Sequence, residues 1–285
     1  MTAPAVATEG TSAPQRVAGV ASIAIHGLLT VPRTATVLGT SGYAVWLLVD
    51  ESVIVVSTRD ATRLPNGIEI PSRSSDNPFE QVHHGAPIKV GFGRVMLEGL
   101  AVSVARWWDP RPVLHAITAN ELAANIANLP AEVADIDSDQ LRTALRSFSP
   151  NAVLAAARPL LGKGSGLTPE GDDYLAGAVA SIRLLSQAVG QDQATRMLDT
   201  VANPLAKLAD ARTTTFSAAL IQYALRGQVA APAGSLMRAF AGRGDVGPSH
   251  RVLLKVGHSS GPALAAGLVL GAQTLVSSIV DGGNP

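Results

Sequence analysis

Asp172 and Asp173 are adjacent acids that follow the run Gly162-Lys163-Gly164-Ser165-Gly166-Leu167-Thr168-Pro169-Glu170-Gly171. No other stretch sets glycines, a cation, a helix start and paired carboxylates side by side. Glycines in alternation free the backbone for positive φ and let amide groups converge without obstruction from Cβ atoms. Thr168 reads as an N-cap and Pro169 as the first helical residue, where a missing N–H costs nothing. The loop therefore ends at a helix N-terminus, whose orphan amides and partial positive charge favour a carboxylate or phosphate, and Lys163 adds a full charge. A plain turn before a helix is the competing reading. The pattern is neither the GxxxxGK[ST] of a P-loop nor the GxGxxG of a dinucleotide fold.

The helix so opened carries Leu175, Val179, Ile182, Ser186 and Val189 on one stripe. Its far side, Ala176, Gly177, Ala180 and Leu184, is hardly more polar, which marks a buried helix. Burying a lone carboxylate costs several kcal/mol unless it is paired, hydrogen-bonded or bound to a metal. Complementarity to the helix dipole accounts for one acid comfortably and for two beside Glu170 less well. Side chains at i and i+1 diverge by about 100°, so the two acids serve different groups. Asp172 and Asp173 are thus candidate catalytic residues. No cofactor is required, but if a phosphate binds next to them, Mg²⁺ is the ion that they could hold together with substrate oxygens.

A second glycine-flanked start, Gly257-His258-Ser259-Ser260-Gly261-Pro262, opens a long apolar stretch to Val280. Ser259 or Ser260 is the expected N-cap, with Gly261 or Pro262 in the first turn. Gly267 and Gly271 permit close helix packing. His258, inside this loop, is a candidate proton donor or anion ligand, against the plainer alternative of a loop hydrogen bond. Between the two loops, Thr213, Thr214, Thr215 and Ser217 crowd hydroxyls into one helix start; capping explains one, and the others could face a polar ligand. The candidate anion-binding set is therefore Gly162, Lys163, Gly164, Ser165, Gly166, Thr168, Thr213, Thr214, Ser217, Ser259, Ser260 and Gly261. If both loops meet in space, two helix N-termini face one pocket.

The elements that must position these residues fall into two halves. From residue 17 to about 115 short β-branched stretches alternate with turn signals, which predicts a small antiparallel barrel or sandwich. Asp50-Glu51 and Asn66-Gly67 read as hairpin turns, and the polar stretch from Pro71 to Pro87 as an exposed loop. After Asp109-Pro110-Arg111-Pro112 alanine and leucine rise and a 3.6-residue period takes over, so residues 116–285 form an all-α domain, with Thr118, Ser138 and Pro150-Asn151 as helix starts. The fold class is α+β. Residues 1–16 lack periodicity and read as a disordered tail without the features of a signal peptide.

Composition narrows the function classes. Lys plus Arg and Asp plus Glu are both 22 and the pI is about 7.0, a balance that argues against nucleic-acid and anionic-membrane surfaces. The chain has no cysteine, so disulfides, thiolate metal sites and a cysteine nucleophile are excluded. Cytoplasmic residence fits. The apolar run from Pro262 to Val280 is broken by Gln273, Ser277 and Ser278 and reads as a core helix rather than a membrane span. His83-His84 point to opposite faces of an extended chain and are poor partners for one metal ion.

The runs LGKGSGLTPEGDDYLAG (Leu161 to Gly177) and GHSSGPALAAGLVLG (Gly257 to Gly271) resemble the two signatures of the family that includes the AllH-type subunit of oxamate carbamoyltransferase. The Thr213-Thr214 to Ser217 helix start, Gly227 and the stretch from Gly85 to Leu97 resemble it as well. The resemblance covers most of the chain from Val17, weakly in front and specifically behind. It implies a part in carbamoyl transfer between oxalurate and phosphate, giving oxamate and carbamoyl phosphate in ureide catabolism, alongside two larger partner subunits. The family's positions fall on Gly162, Gly164, Gly166, Thr168, Pro169, Asp172, Asp173 and Gly257 to Gly261. Converging amides and a cation suit the negatively charged tetrahedral centre of such a transfer. Two other readings stand beside it: a non-catalytic scaffold whose glycines serve helix packing, and an Mg²⁺-dependent phosphate-handling enzyme built on the Asp pair.

Overall fold

A computed structural model describes residues 14–127, 129, 136 and 139–282. The front half is strand-rich, with β1 (Gln15–Ser22), a short helix α1 (His26–Thr30), β2 (Arg33–Thr40), β3 (Ala44–Val49), β4 (Ser52–Thr58), β5 (Gly67–Ile70), β6 (Pro87–Gly91), β7 (Arg94–Leu97) and β8 (Leu100–Trp108). Helices follow: α2 (Ala119–Ala127), α3 (Asp139–Arg146), α4 (Pro150–Ala157), α5 (Glu170–Val189), α6 (Asp192–Arg212), α7 (Thr215–Leu225), α8 (Ala231–Phe240), α9 (Val246–Leu254) and α10 (Ser260–Gly282). The α+β class holds.

The strands close into a barrel in the order β1-β5-β4-β3-β2-β6-β7-β8. It is not the antiparallel barrel or sandwich expected, because β1 runs parallel to β8 and β4 parallel to β5. Gln15 and Arg16, assigned to the tail by sequence, already pair with Leu100 and Ala101 and help to close the ring; residues 1–13 lie outside the described residues. Asp50-Glu51 does make the tight β3–β4 connection, with Asp50 at φ +52. Asn66-Gly67 makes no hairpin: β5 is parallel to β4, and Asn66 is instead fully buried with its Nδ2 donating to the Val53 carbonyl at 2.9 Å. The loop before β6 is also less exposed than its polarity suggests. Phe79 and Val82 drop into the barrel core beside Ile25 and Leu29, filling the narrow interior that eight strands enclose.

β3 and β4 are apolar on both faces, as strands covered on both sides must be. Val45, Leu47, Val49, Ile54 and Val56 face the barrel interior. The outward-facing Ala44, Val53 and Val55 pack on Phe216 of α7, with Trp46, Leu64 and Leu220 around them. Trp46 and Phe216 meet edge to face, 6.3 Å between ring centroids. This seam joins the barrel to the helices.

Among the helices, α5 is buried almost continuously from Gly171 to Ile182 and lies alongside α10. The two run parallel: Gly267 abuts the backbone of Tyr174, and Gly271 follows one turn on against Ala178 and Ser181. A Cβ on Gly267 would overlap the Tyr174 carbonyl oxygen, so the four-residue glycine spacing is what lets two backbones touch. Among the described residues α10 alone is long and apolar enough to cross a membrane, and half of that stretch is buried within the protein. Thr118 and Glu121 form a reciprocal cap on α2, and Ser149 caps α4 just ahead of Pro150. Ser138 lies outside the described residues. α9 has no counterpart among the helices expected from sequence.

Candidate functional site

Parallel packing brings the starts of α5 and α10 together, and the Thr168 and Ser260 hydroxyls lie 2.8 Å apart. The two glycine loops therefore meet. Thr168 is not the N-cap of α5; Pro169 takes the cap position without a side-chain bond and the helix begins at Glu170. Gly162, Gly164 and Gly166 all adopt positive φ, as the turn reading requires.

Several amides of these helix starts are occupied from within. Gly171 N–H donates to the Lys163 carbonyl at 2.9 Å, Asp172 N–H to Pro169 at 3.0 Å, and Gly261 N–H to Val256 at 2.8 Å. Gly162 N–H donates to Asp172 Oδ1 at 2.9 Å. Part of the cradle of amides expected for an anion is thus closed by the protein's own oxygens.

Asp172 and Asp173 part company here. Asp172 is 1% exposed and spends both oxygens inside the protein. Besides Gly162 N–H, it accepts from Thr213 Oγ1 and, at 2.8 Å, from Ser217 Oγ. Thr214 caps α7 by accepting from Ser217 N–H at 3.1 Å and donates its hydroxyl to the Leu167 carbonyl at 2.6 Å. The hydroxyl cluster therefore locks the α6–α7 corner to the loop before α5 and leaves little for a ligand. Mg²⁺ held jointly by both acids would have to displace these donors.

Asp173 is 7% exposed, and its Oδ2 has no hydrogen-bond partner among the described residues. Burial pushes its carboxyl up from 3.8 to about 7; the Asp172 and Glu170 charges add to the rise, while the Ser260 and Thr168 hydroxyls oppose it. Asp173 lines a cavity of about 590 Å³ between the barrel and the helices. One wall comes from Tyr43, Trp46, Val55, Ser57, Asp60, Ala61, Thr62, Leu64 and Pro65. The other comes from Thr168, Phe216, Leu220, Gln228, Lys255, Ser260 and Leu264. Trp46 Nε1 and Gln228 Oε1 are, like Asp173 Oδ2, buried without a partner among the described residues, and each belongs to a residue of this cavity.

Of the residues singled out in the sequence, Thr168, Asp173 and Ser260 line the cavity, and Gly257 lies at it too. Lys163, Gly164, Ser165, Gly166 and His258 are exposed and are not part of its wall; Ser259 is half-buried and also outside it. The cation at the cavity is Lys255, which sequence reasoning passed over although it stands two residues before Gly257. Asp60 was missed as well. Hydrogen bonds from Ser74 hold its carboxyl far below the usual carboxylate range, and a lone acid after a strand gave no signal.

Fold and site together define an α+β protein with a ligand-sized, acid-bearing cavity at the junction of a barrel and a helical layer. Residues 160–272 match the model of the family described as oxamate carbamoyltransferase subunit AllH, and over that segment the chain is similar to this family. No curated protein and no solved structure matches the chain. The matched segment contains both glycine loops, Asp173 and Lys255; the barrel wall of the cavity lies outside it.

Proposed function

We propose that the chain is a subunit of a carbamoyltransferase and that the carbamoyl-bearing substrate sits in the cavity between barrel and helices, with Asp173 holding the proton that the transfer moves. Asp173 carries this reading: a carboxyl almost wholly buried, raised to about 7, with one oxygen unpaired and in the wall of a ligand-sized cavity. In the transfer from oxalurate, a phosphate oxygen bonds to the carbamoyl carbon, the C–N bond to oxamate breaks, and the departing nitrogen gains the proton that phosphate gives up. An acid that titrates near neutrality can relay that proton at working pH. Lys255 supplies positive charge in the same cavity wall, and the neutral form of Asp173 does not repel an anionic substrate. Thr168 and Ser260 offer hydroxyls at the same place. Because the family description names a subunit, protein partners belong to the working enzyme, and we expect two larger ones.

A scaffold role is favoured by different observations, namely the glycines spent on α5–α10 packing and the acid and hydroxyls spent on one another at Asp172. Asp173 decides between the two readings, since a scaffold has no use for a buried carboxyl with one oxygen unpartnered. The test is calorimetric titration of the full chain with oxalurate, oxamate, carbamoyl phosphate and phosphate, for wild type and Asp173→Asn, followed by carbamoyl phosphate formation in the assembled enzyme. Binding that Asp173→Asn weakens, with turnover down at least about a hundredfold, supports the proposal. Absent binding together with unchanged turnover refutes it.

A further inference from the structure

The cavity's walls do not match a ligand that is polar throughout. Away from Asp173 they carry Ser57, Asp60, Thr62, Gln228 and Lys255, but much of the surface is apolar, from Trp46, Val55, Leu64, Phe216, Leu220 and Leu264. An oxalurate or phosphate oxygen pressed against such a surface loses water and gains no partner. Size points the same way. Oxalurate alone, nine non-hydrogen atoms at the roughly 30 Å³ that a water molecule fills in the liquid, takes about 270 Å³. That is less than half of the 590 Å³ present, a volume within the range of pockets that enclose drug-sized ligands. Among the described residues, the buried polar atoms at the cavity without a partner are Trp46 Nε1, a donor, Gln228 Oε1, an acceptor, and Asp173 Oδ2, which accepts or, when protonated, donates. A carbamoyl or ureido group offers the complement, a carbonyl oxygen and N–H donors.

We propose that the natural ligand is a carbamoyl or ureido compound with an apolar body the size of a leucine or phenylalanine side chain, its polar head at Asp173 and its body against Trp46 and Phe216. This inference rests on the carbamoyl reading of the site. Three of these apolar contacts, Trp46, Val55 and Leu64, come from the barrel side, which places part of the substrate choice on residues that the family match does not span. Burying a side chain of that size is worth roughly a ten- to hundredfold gain in affinity.

The test is isothermal titration of the full-length protein at pH 6.5 with N-carbamoyl-L-leucine, N-carbamoyl-L-phenylalanine, N-carbamoylglycine and oxalurate. The leucine or phenylalanine compound should bind at least tenfold more tightly than the glycine one, and Leu64→Ala should shrink that ratio about threefold or more. Equal affinities for the glycine and leucine compounds, both weakened by Asp173→Asn, overturn the apolar body and leave the carbamoyl site standing. No binding by any of the four, or affinities that Asp173→Asn leaves unchanged, overturns both.

Discussion

Replacing Asp173 with Asn should make the protein more stable, and by an amount set by pH. The carboxyl titrates at about 7 in the fold against 3.8 for the free side chain. A raised acid pKa means that the native state prefers the protonated form. Below pH 3.8 both states are protonated and nothing is lost; between the two values the unfolded chain ionises while the native state does not; above pH 7 the native state carries the full penalty. At 1.36 kcal/mol per unit the penalty reaches about 4 kcal/mol at pH 8, against about 1 kcal/mol at pH 4.5. Asn has the same shape and does not ionise. The stability difference between Asp173→Asn and wild type should therefore grow by about 3 kcal/mol from pH 4.5 to pH 8, on the order of 5–10 °C in melting temperature for a chain this long. Paired thermal melts across that window read it directly. A difference that stays flat with pH would mean that Asp173 is ionised at an ordinary pKa, and the proposed proton-holding role would go with it.

Five other substitutions probe the remaining architecture. Asp172→Ala leaves the Gly162 amide and the Thr213 and Ser217 hydroxyls without their acceptor, and chemical denaturation should show a loss of about 3–5 kcal/mol. Gly267→Ala drives a methyl group into the Tyr174 backbone; several kcal/mol should be lost, read as a lower melting temperature or as insoluble protein, whereas Gly166→Ala, in open space at φ +85, should cost about 1 kcal/mol. Lys255→Ala should weaken binding of an anionic ligand about tenfold, and Lys163→Ala, outside the cavity wall, should change it little; titration with oxamate separates the two cations.

Local patterns carried the sequence reading some way. The switch from alternation to a 3.6-residue period after Pro112 marks the junction of barrel and helices, and the glycine spacing on α10 already implied two backbones in contact. What failed depended on partners distant in sequence. Barrel closure rests on β1 pairing parallel with β8, which no local signal encodes, so the ring read as antiparallel and Gln15 and Arg16 were assigned to the tail. Phe79 and Val82 lie in a stretch polar enough to look solvated, yet two apolar side chains were enough to anchor it in the barrel. Periodicity identified β3 and β4 as strands but could not say that their outer faces meet α7, so Trp46 and the barrel wall of the cavity stayed hidden.

The paired acids divide the work of the site. About 100° of helix rotation separates adjacent residues, enough to aim Asp172 at the α6–α7 corner and Asp173 at the cavity. Asp172 joins the loop before α5 to Thr213 and Ser217, and Thr214 ties Leu167 to the same corner. The helix that starts there carries Phe216 and Leu220, which hold the outer face of β3 and β4. A continuous path of contacts therefore runs from the barrel wall through α7 and Asp172 to the turn that bears Asp173. The fully bonded acid fixes where its neighbour sits, and the energetic penalty of leaving Asp173 Oδ2 without a partner is tolerated because the three donors on Asp172 hold the backbone in place. The sequence pair Asp-Asp thus splits into one acid bonded within the protein and one that lines the cavity, and their order along the helix sets which is which.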